Sequence, residues 1–185
     1  VQIPLEEVPE HVQNAVLAAE DREFWTNSGF SFTGLGRAVL GKLTGDSTAG
    51  GGSTITQQYV KNALVGNEHS YERKAKEIII AAKMTNEWSK DQILERYLNI
   101  AYYGDGAYGV EAAAKHYFGV TADKLDLGQA AMLAGLVQNP VSYDPVNNPE
   151  AAITRRNVVL TRMKGLGLLV PWSSQGPTRT FGPQR

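Results

Sequence analysis

The 185-residue chain has no cysteine. That excludes disulfide staples, thiolate metal sites and a cysteine nucleophile, while leaving the redox compartment open. Histidine is scarce, and His11, His69 and His116 stand far apart without the spacing of metal ligands. An excess of one charge is also missing. A formal net charge of -1 with 20% charged residues gives no bias toward nucleic acid, so any anion site must be a local gathering of cations. No apolar run approaches the ~20 residues a membrane-crossing helix needs, and the first residues lack the basic and apolar blocks of a signal peptide. The chain is therefore expected to be soluble or peripheral, or to be a piece of something anchored. Alternation of apolar and polar residues never persists long enough for a sheet of several strands.

What is present is an apolar share of 42%, enough at this length for one buried core and one domain. Helix start and stop signals dominate, so the expected fold class is mainly α. Pro9 and Glu10 open a helix in which Val12, Ala15, Val16 and Ala19 recur at helical spacing up to about Trp25. Residues 26 to 52 hold Asn27, Gly29, Gly34, Gly36, Gly41, Gly45 and Gly50-Gly51-Gly52, the composition of a mobile functional connection around one short amphipathic helix near 33 to 43. Ser53 is expected to cap a helix to about Leu64 with Gly66 as its stop, and Ser70 to cap another to about Trp88. Ser89 with Gln92, and Asp126 with Gln129, have capping-box spacing, and "YGVEAAAKHYFG" fits a helix closed by Gly119. Asn148 as cap and Pro149 as first residue predict a last helix, "EAAITRRNVVLTRMKGLG". From Pro171 onward periodicity stops, so residues 1–170 read as a domain and 171–185 as a linker or tail.

Three stretches carry candidate chemistry. In "VLAAEDREFWTN", Val16, Glu20 and Phe24 fall four apart, which sets Glu20 at the edge of a buried helical stripe. A carboxylate there loses hydration, its pKa moves up, and it can exchange a proton near neutral pH; Asp21, turned away from the stripe, could accept backbone or Arg donors and stay ionised. The plain alternative is a solvated helix end. In "GGGSTITQQYVKN", glycines lead into a helix start whose free N–H groups and Ser53 and Thr54 hydroxyls could form an anion cradle, with Thr54, Gln57 or Gln58, and Lys61 on one polar face. The nucleotide P-loop spacing is absent, and a capped amphipathic helix behind a Gly loop explains the same residues. In "SYERKAKEIII", Arg73 and Lys74 precede Glu77 at helical spacing and could clamp a diphosphate; ordinary solvated pairs such as Glu72 with Lys76 are the alternative.

The order of these stretches is distinctive. "AAEDREFW" with Gly29, "GGSTITQQYVKN", "RKAKE", "KDQILERYLN" and "RRNVVLTRM" resemble the five ordered motifs of the peptidoglycan glycosyltransferases, glycosyltransferase family 51, over residues 3 to about 165. The resemblance implies a lysozyme-like, two-lobed helical fold around an extended cleft. It implies polymerisation of lipid II, with Glu20 as general base on the acceptor hydroxyl, inversion at the anomeric carbon of the lipid-linked growing chain, and release of polyprenyl diphosphate. Lys61, Arg73 and Lys74 would neutralise that diphosphate. Glu77 would act on the donor side, with Mg as an optional divalent cation and no cofactor otherwise required. Asp21, Asn27, Gly52, Ser53, Thr54, Gln58, Asn62 and His69 would complete the substrate site. Asn27 and His69 depart from the His and Arg that many relatives carry there.

By the same resemblance, the chain would work at the extracytoplasmic face of the bacterial plasma membrane, with an N-terminal anchor outside the sequence and a transpeptidase module possible beyond residue 171. Trp25, Phe30, Phe32, Leu35, Val39 and Leu40 would face the membrane, whereas Phe24 suits the core. A phosphoglycolipid inhibitor of the moenomycin type should fit the cleft. The rivals are a lysozyme-like hydrolase or lytic transglycosylase, for which the cations have no use, and a non-catalytic binder of lipid II or peptidoglycan.

Overall fold

The computed structural model describes residues 2–30, 52–66 and 70–169. The short helix expected near 33–43, the residues Phe32, Leu35, Val39 and Leu40 expected to face the membrane, His69 and the tail lie outside these residues.

Helix α1 spans Glu10–Glu20 and buries Val12, Ala15, Val16, Leu17 and Ala18. It stops short of the expected Trp25, because Asp21 leaves helical geometry at φ -154°, ψ 85°. The reason is not local: the Asp21 carboxylate accepts the Ile55 backbone N–H at 2.9 Å, and a continued helix would carry it elsewhere. Phe24 is therefore not stacked over Glu20 on one helix. It reaches the core through a run of turns and is fully buried, edge-on to Trp25.

Helix α2, Ile55–Val60, is capped by Thr54 and not by Ser53. The Thr54 hydroxyl accepts from Gln57 N while the Gln57 side chain accepts from Thr54 N, and both atoms are buried with the helix start. The chain then widens into a π turn over Lys61–Val65, closed where expected by Gly66 at φ 82°. Helix α3, Tyr71–Glu87, is capped by Ser70, and α4, Lys90–Ile100, by the Ser89/Gln92 box. Helix α5, Val110–Phe118, ends at Gly119 in the left-handed conformation, and α6, Leu127–Leu136, starts at the Asp126/Gln129 box. Helix α7 covers Pro149–Gly165, but Asn148 does not cap it; the Asn148 amide donates to Val141 O instead.

The helices form two groups. Helix α6, buried from Ala130 to Leu136, packs against α1 and α7, and Gly135 lets α7 come close, since a Cβ there would sit 2.9 Å from Arg155 Cγ. Helix α2 packs against α3 and α4, while α5 links α4 to α6. The last residue of α1 reaches from the first group to the second. Among the described residues the sole β feature is a bridge between Tyr102 and Tyr108, so the chain is mainly helical as expected.

Candidate active site

Glu20 ends α1, where the negative pole of the helix already disfavours a carboxylate. Its side chain is partly buried, and Gln58 Nε2 of α2 donates to Glu20 Oε2 at 2.9 Å. The amide is held in turn by Tyr97 of α4, whose hydroxyl donates to Gln58 Oε1 at 2.9 Å. Burial pushes the Glu20 carboxyl above the usual carboxylate range. The Gln58 hydrogen bond and the positive charges of Arg155 and Arg162 oppose that rise, and the Asp21 charge adds to it. Arg162 is fixed beside this corner by donating to Ala19 O at 2.9 Å. A carboxylate raised in this way is a stronger proton acceptor than a free one.

Asp21 is more buried than Glu20 and is fully engaged by protein. Besides Ile55 N, both of its oxygens accept from Asn27 Nδ2, at 3.0 and 3.1 Å. Asn27 Oδ1 accepts from Gly29 N and from Lys90 Nζ, which also donates to Asn27 O. Thr54 closes the knot by donating to Gly29 O at 2.7 Å. Burial raises the Asp21 carboxyl and lowers the Lys90 ammonium, each partly opposed by the other's charge. Asp21, Asn27 and Thr54, which the resemblance sets in the substrate site, thus engage protein partners here, Asp21 with Asn27 and Ile55 N, and Thr54 with Gly29 O and Gln57 N, and brace the turn that presents Glu20. The expectation that Asp21 points away from the buried stripe is corrected, because the helix ends there and the side chain turns inward, where it does accept a backbone donor, Ile55 N–H.

The cations form a second cluster. Glu77 is only 1% exposed, and its two oxygens are taken by Arg73 Nη1 at 2.7 Å and by Lys74 Nζ. Lys74 also donates to the Ser53 hydroxyl at 3.0 Å. This is no solvated pair, unlike Lys76 with Glu72, where both partners are well exposed. Lys61 is partly buried one turn beyond Gln58, Asn62 is exposed and Gly52 is partly buried. The two clusters meet on one stretch of chain: Lys74 holds Ser53 and Glu20 holds Gln58, positions separated by on the order of 10 Å.

Glu77 does not suit a divalent cation. Each oxygen already faces a cationic nitrogen, and among the described residues no group of His, Cys, Asp or Glu is arranged to hold a metal ion. A separate cavity of about 490 Å³ is lined by Ile3, Glu6, Glu7, Pro9, Glu111, Thr121 and Asp123, and its acidic wall would repel a diphosphate. Sequence reasoning quoted the stretches that hold Lys90, Tyr97, Arg155 and Arg162 but gave none of the four a place at the site. Tyr97 stands behind Gln58, Arg155 and Arg162 act on Glu20 by charge, and Lys90 holds Asn27 beside Asp21, relations that span dozens of residues and that local spacing does not show.

A family model described as Transglycosylase matches residues 1–164. The chain belongs to this family of enzymes, the peptidoglycan glycosyltransferases. More particularly, it is similar to the module that penicillin-binding proteins of the 1A type carry. Penicillin-binding protein 1A of Mycolicibacterium smegmatis is 51% identical over 173 residues, covering 91% of this chain and 22% of that protein. Penicillin-binding protein 1A of Mycobacterium tuberculosis is 52% identical over 175 residues, covering 92% of this chain and 21% of that protein. The chain thus spans about a fifth of the curated relatives it matches. The crystal structure of penicillin-binding protein 1A from Haemophilus influenzae aligns with a TM-score of 0.52 at 23% identity, over 92% of this chain and 16% of that one, and shares the fold.

Proposed function

We propose that this chain polymerises lipid II into glycan strands by inverting transfer, as one glycosyltransferase domain over residues 1–170. In this reading Glu20 takes the proton of the acceptor sugar's 4-hydroxyl while that oxygen bonds to the anomeric carbon of the lipid-linked chain. The bond from that carbon to the diphosphate oxygen breaks on the opposite face, and polyprenyl diphosphate leaves with the electron pair. A diphosphate is a good leaving group that calls for neutralising charge rather than a proton, the service that Lys61, Arg73 and Lys74 are suited to give, with Glu77 holding the latter two in place. Ser53, Gln58, Gly52, Asn62 and His69 belong to the same substrate site.

The observation that carries this reading is the tie of base and cations to one segment, 53–58, through Gln58 to Glu20 and Ser53 to Lys74. A lysozyme-like hydrolase gains nothing from that arrangement, because it must protonate a sugar oxygen. The proposed setting is the extracytoplasmic face of the plasma membrane. No helix among the described residues is long and apolar enough to cross a bilayer, and the exposed Trp25, Leu64 and Tyr71 suit contact with a membrane surface. A transpeptidase module elsewhere on the full-length protein, and competition by a moenomycin-type phosphoglycolipid, belong to the same proposal.

The test is incubation with labelled lipid II in detergent. Polymer from the wild type and none from Glu20→Gln is the expected outcome. Shortening of preformed glycan, or polymer formed at the wild-type rate by the variant, would overturn the reading.

A further inference from the structure

We propose that Tyr97 is a positioning residue that acts through Gln58: it fixes the orientation of the amide, which holds Glu20 Oε2 and leaves Oε1 to meet the acceptor hydroxyl. The inference rests on the polymerase reading above.

A glutamine amide can offer either its NH2 or its oxygen to a neighbour, and an ionised carboxylate can only accept. The productive orientation of Gln58 is thus the one seen, with Nε2 toward Glu20 and Oε1 turned to the Tyr97 hydroxyl. Tyr97 is fully buried, and burial next to the Glu20 charge keeps its phenol protonated well beyond the ordinary range, so it remains a donor wherever the enzyme works. Without that hydroxyl the amide is free to turn over, and an oxygen facing the carboxylate would push it out of place.

The other groups facing Glu20 do not supply this hold. Asp21 of the adjoining turn repels it, Arg155 and Arg162 of α7 act as charges, and α6 brings no ionisable side chain. Tyr103 is electrostatically coupled to Glu20 and fully buried, but its hydroxyl has no hydrogen-bond partner among the described residues. It is the natural control, a phenol of equal size in the same shell without the relay.

The experiment measures kcat and KM with labelled lipid II from about pH 5 to about pH 9 for the wild type, Tyr97→Phe, Tyr103→Phe, Gln58→Met and the double variant Tyr97→Phe/Gln58→Met. Tyr97→Phe should lower kcat by about two- to tenfold, the factor associated with one neutral hydrogen bond, with KM unchanged. Its acidic limb should move to higher pH, because a poorly anchored carboxylate is less stabilised when charged. Tyr103→Phe should keep the limb in place, and Tyr97→Phe should add nothing to Gln58→Met.

An acidic limb at the wild-type position in Tyr97→Phe, equal movement in both phenylalanine variants, or full additivity in the double variant would each overturn the relay. If Tyr97→Phe does not fold, Gln58→Met must by itself raise the limb, and a limb left unmoved overturns the inference. Failure of the underlying polymerase reading looks different: the wild type itself then makes no polymer.

Discussion

Asp21→Ala tests the bracing of the candidate base. Asp21 Oδ2 is the acceptor for Ile55 N–H, and Ile55 is fully buried, so the alanine variant leaves that donor with neither protein nor solvent. An orphaned buried donor costs about 1–3 kcal/mol, and loss of the Asn27 amide contact, which is partly exposed, adds about 1 kcal/mol more. The expected loss is about 3 kcal/mol. For a domain of this size that lowers Tm by about 6–12 °C in a calorimetric or circular dichroism melt.

Asp21→Asn should cost less. Its side-chain oxygen still serves Ile55 N, but its NH2 then faces the NH2 of Asn27, which cannot turn over because its oxygen already accepts from Lys90 and Gly29 N. One hydrogen bond is forfeited, for about 1 kcal/mol, and loss of the buried charge offsets part of that, so Tm should fall by no more than about 2–4 °C. Amide exchange at Ile55 should quicken in the alanine variant and much less in the asparagine one. Equal melting of Asp21→Ala and wild type, or unchanged protection at Ile55, would refute the bracing role.

Burial raises the Glu20 carboxyl above 4.5, so the folded chain keeps that proton to higher pH than the unfolded one, and stability falls as pH rises through the interval between the two values. Glu20→Gln should therefore melt higher than wild type at neutral pH, with the difference vanishing below about pH 4, while polymerisation drops by about a hundredfold or more. Gly29→Ala should lose about 2–4 kcal/mol in urea titrations: φ is +86°, and a Cβ would lie 2.6 Å from Ala81 O, a backbone atom that cannot rotate aside. Glu77→Gln should cost about 2–4 kcal/mol by the same measurement, because it strips two cations of a buried counter-charge, and it should raise KM for lipid II more than it lowers kcat.

Much of the fold was legible in local chemistry. The Ser70 cap, the boxes at Ser89/Gln92 and Asp126/Gln129, and the stops at Gly66 and Gly119 stand where short-range signals put them. The cap of α2 was legible in the Thr54/Gln57 box spacing, although the expectation set it one residue early, at Ser53. The end of α1 was not. Apolar periodicity runs on to Phe24, and what breaks the helix is a bond from Asp21 to a residue 34 positions away. The same limit applies at the site. Glu20, Arg73, Lys74 and Glu77 could be singled out by type and spacing. That Asn27 and Thr54 would turn inward, and that Tyr97 would stand behind Gln58, depends on pairings across the helix groups.

Glu77 also bears on how a doubly charged ligand would be received. Two long cationic side chains left to themselves sweep wide volumes and repel each other, so a phosphorylated visitor would have to capture and order both. With Glu77 buried between them, Arg73 and Lys74 are gathered as the chain folds, and their rotamer entropy is surrendered before any substrate arrives. Glu77 can keep its hold while the remaining N–H groups of the two side chains turn to the newcomer.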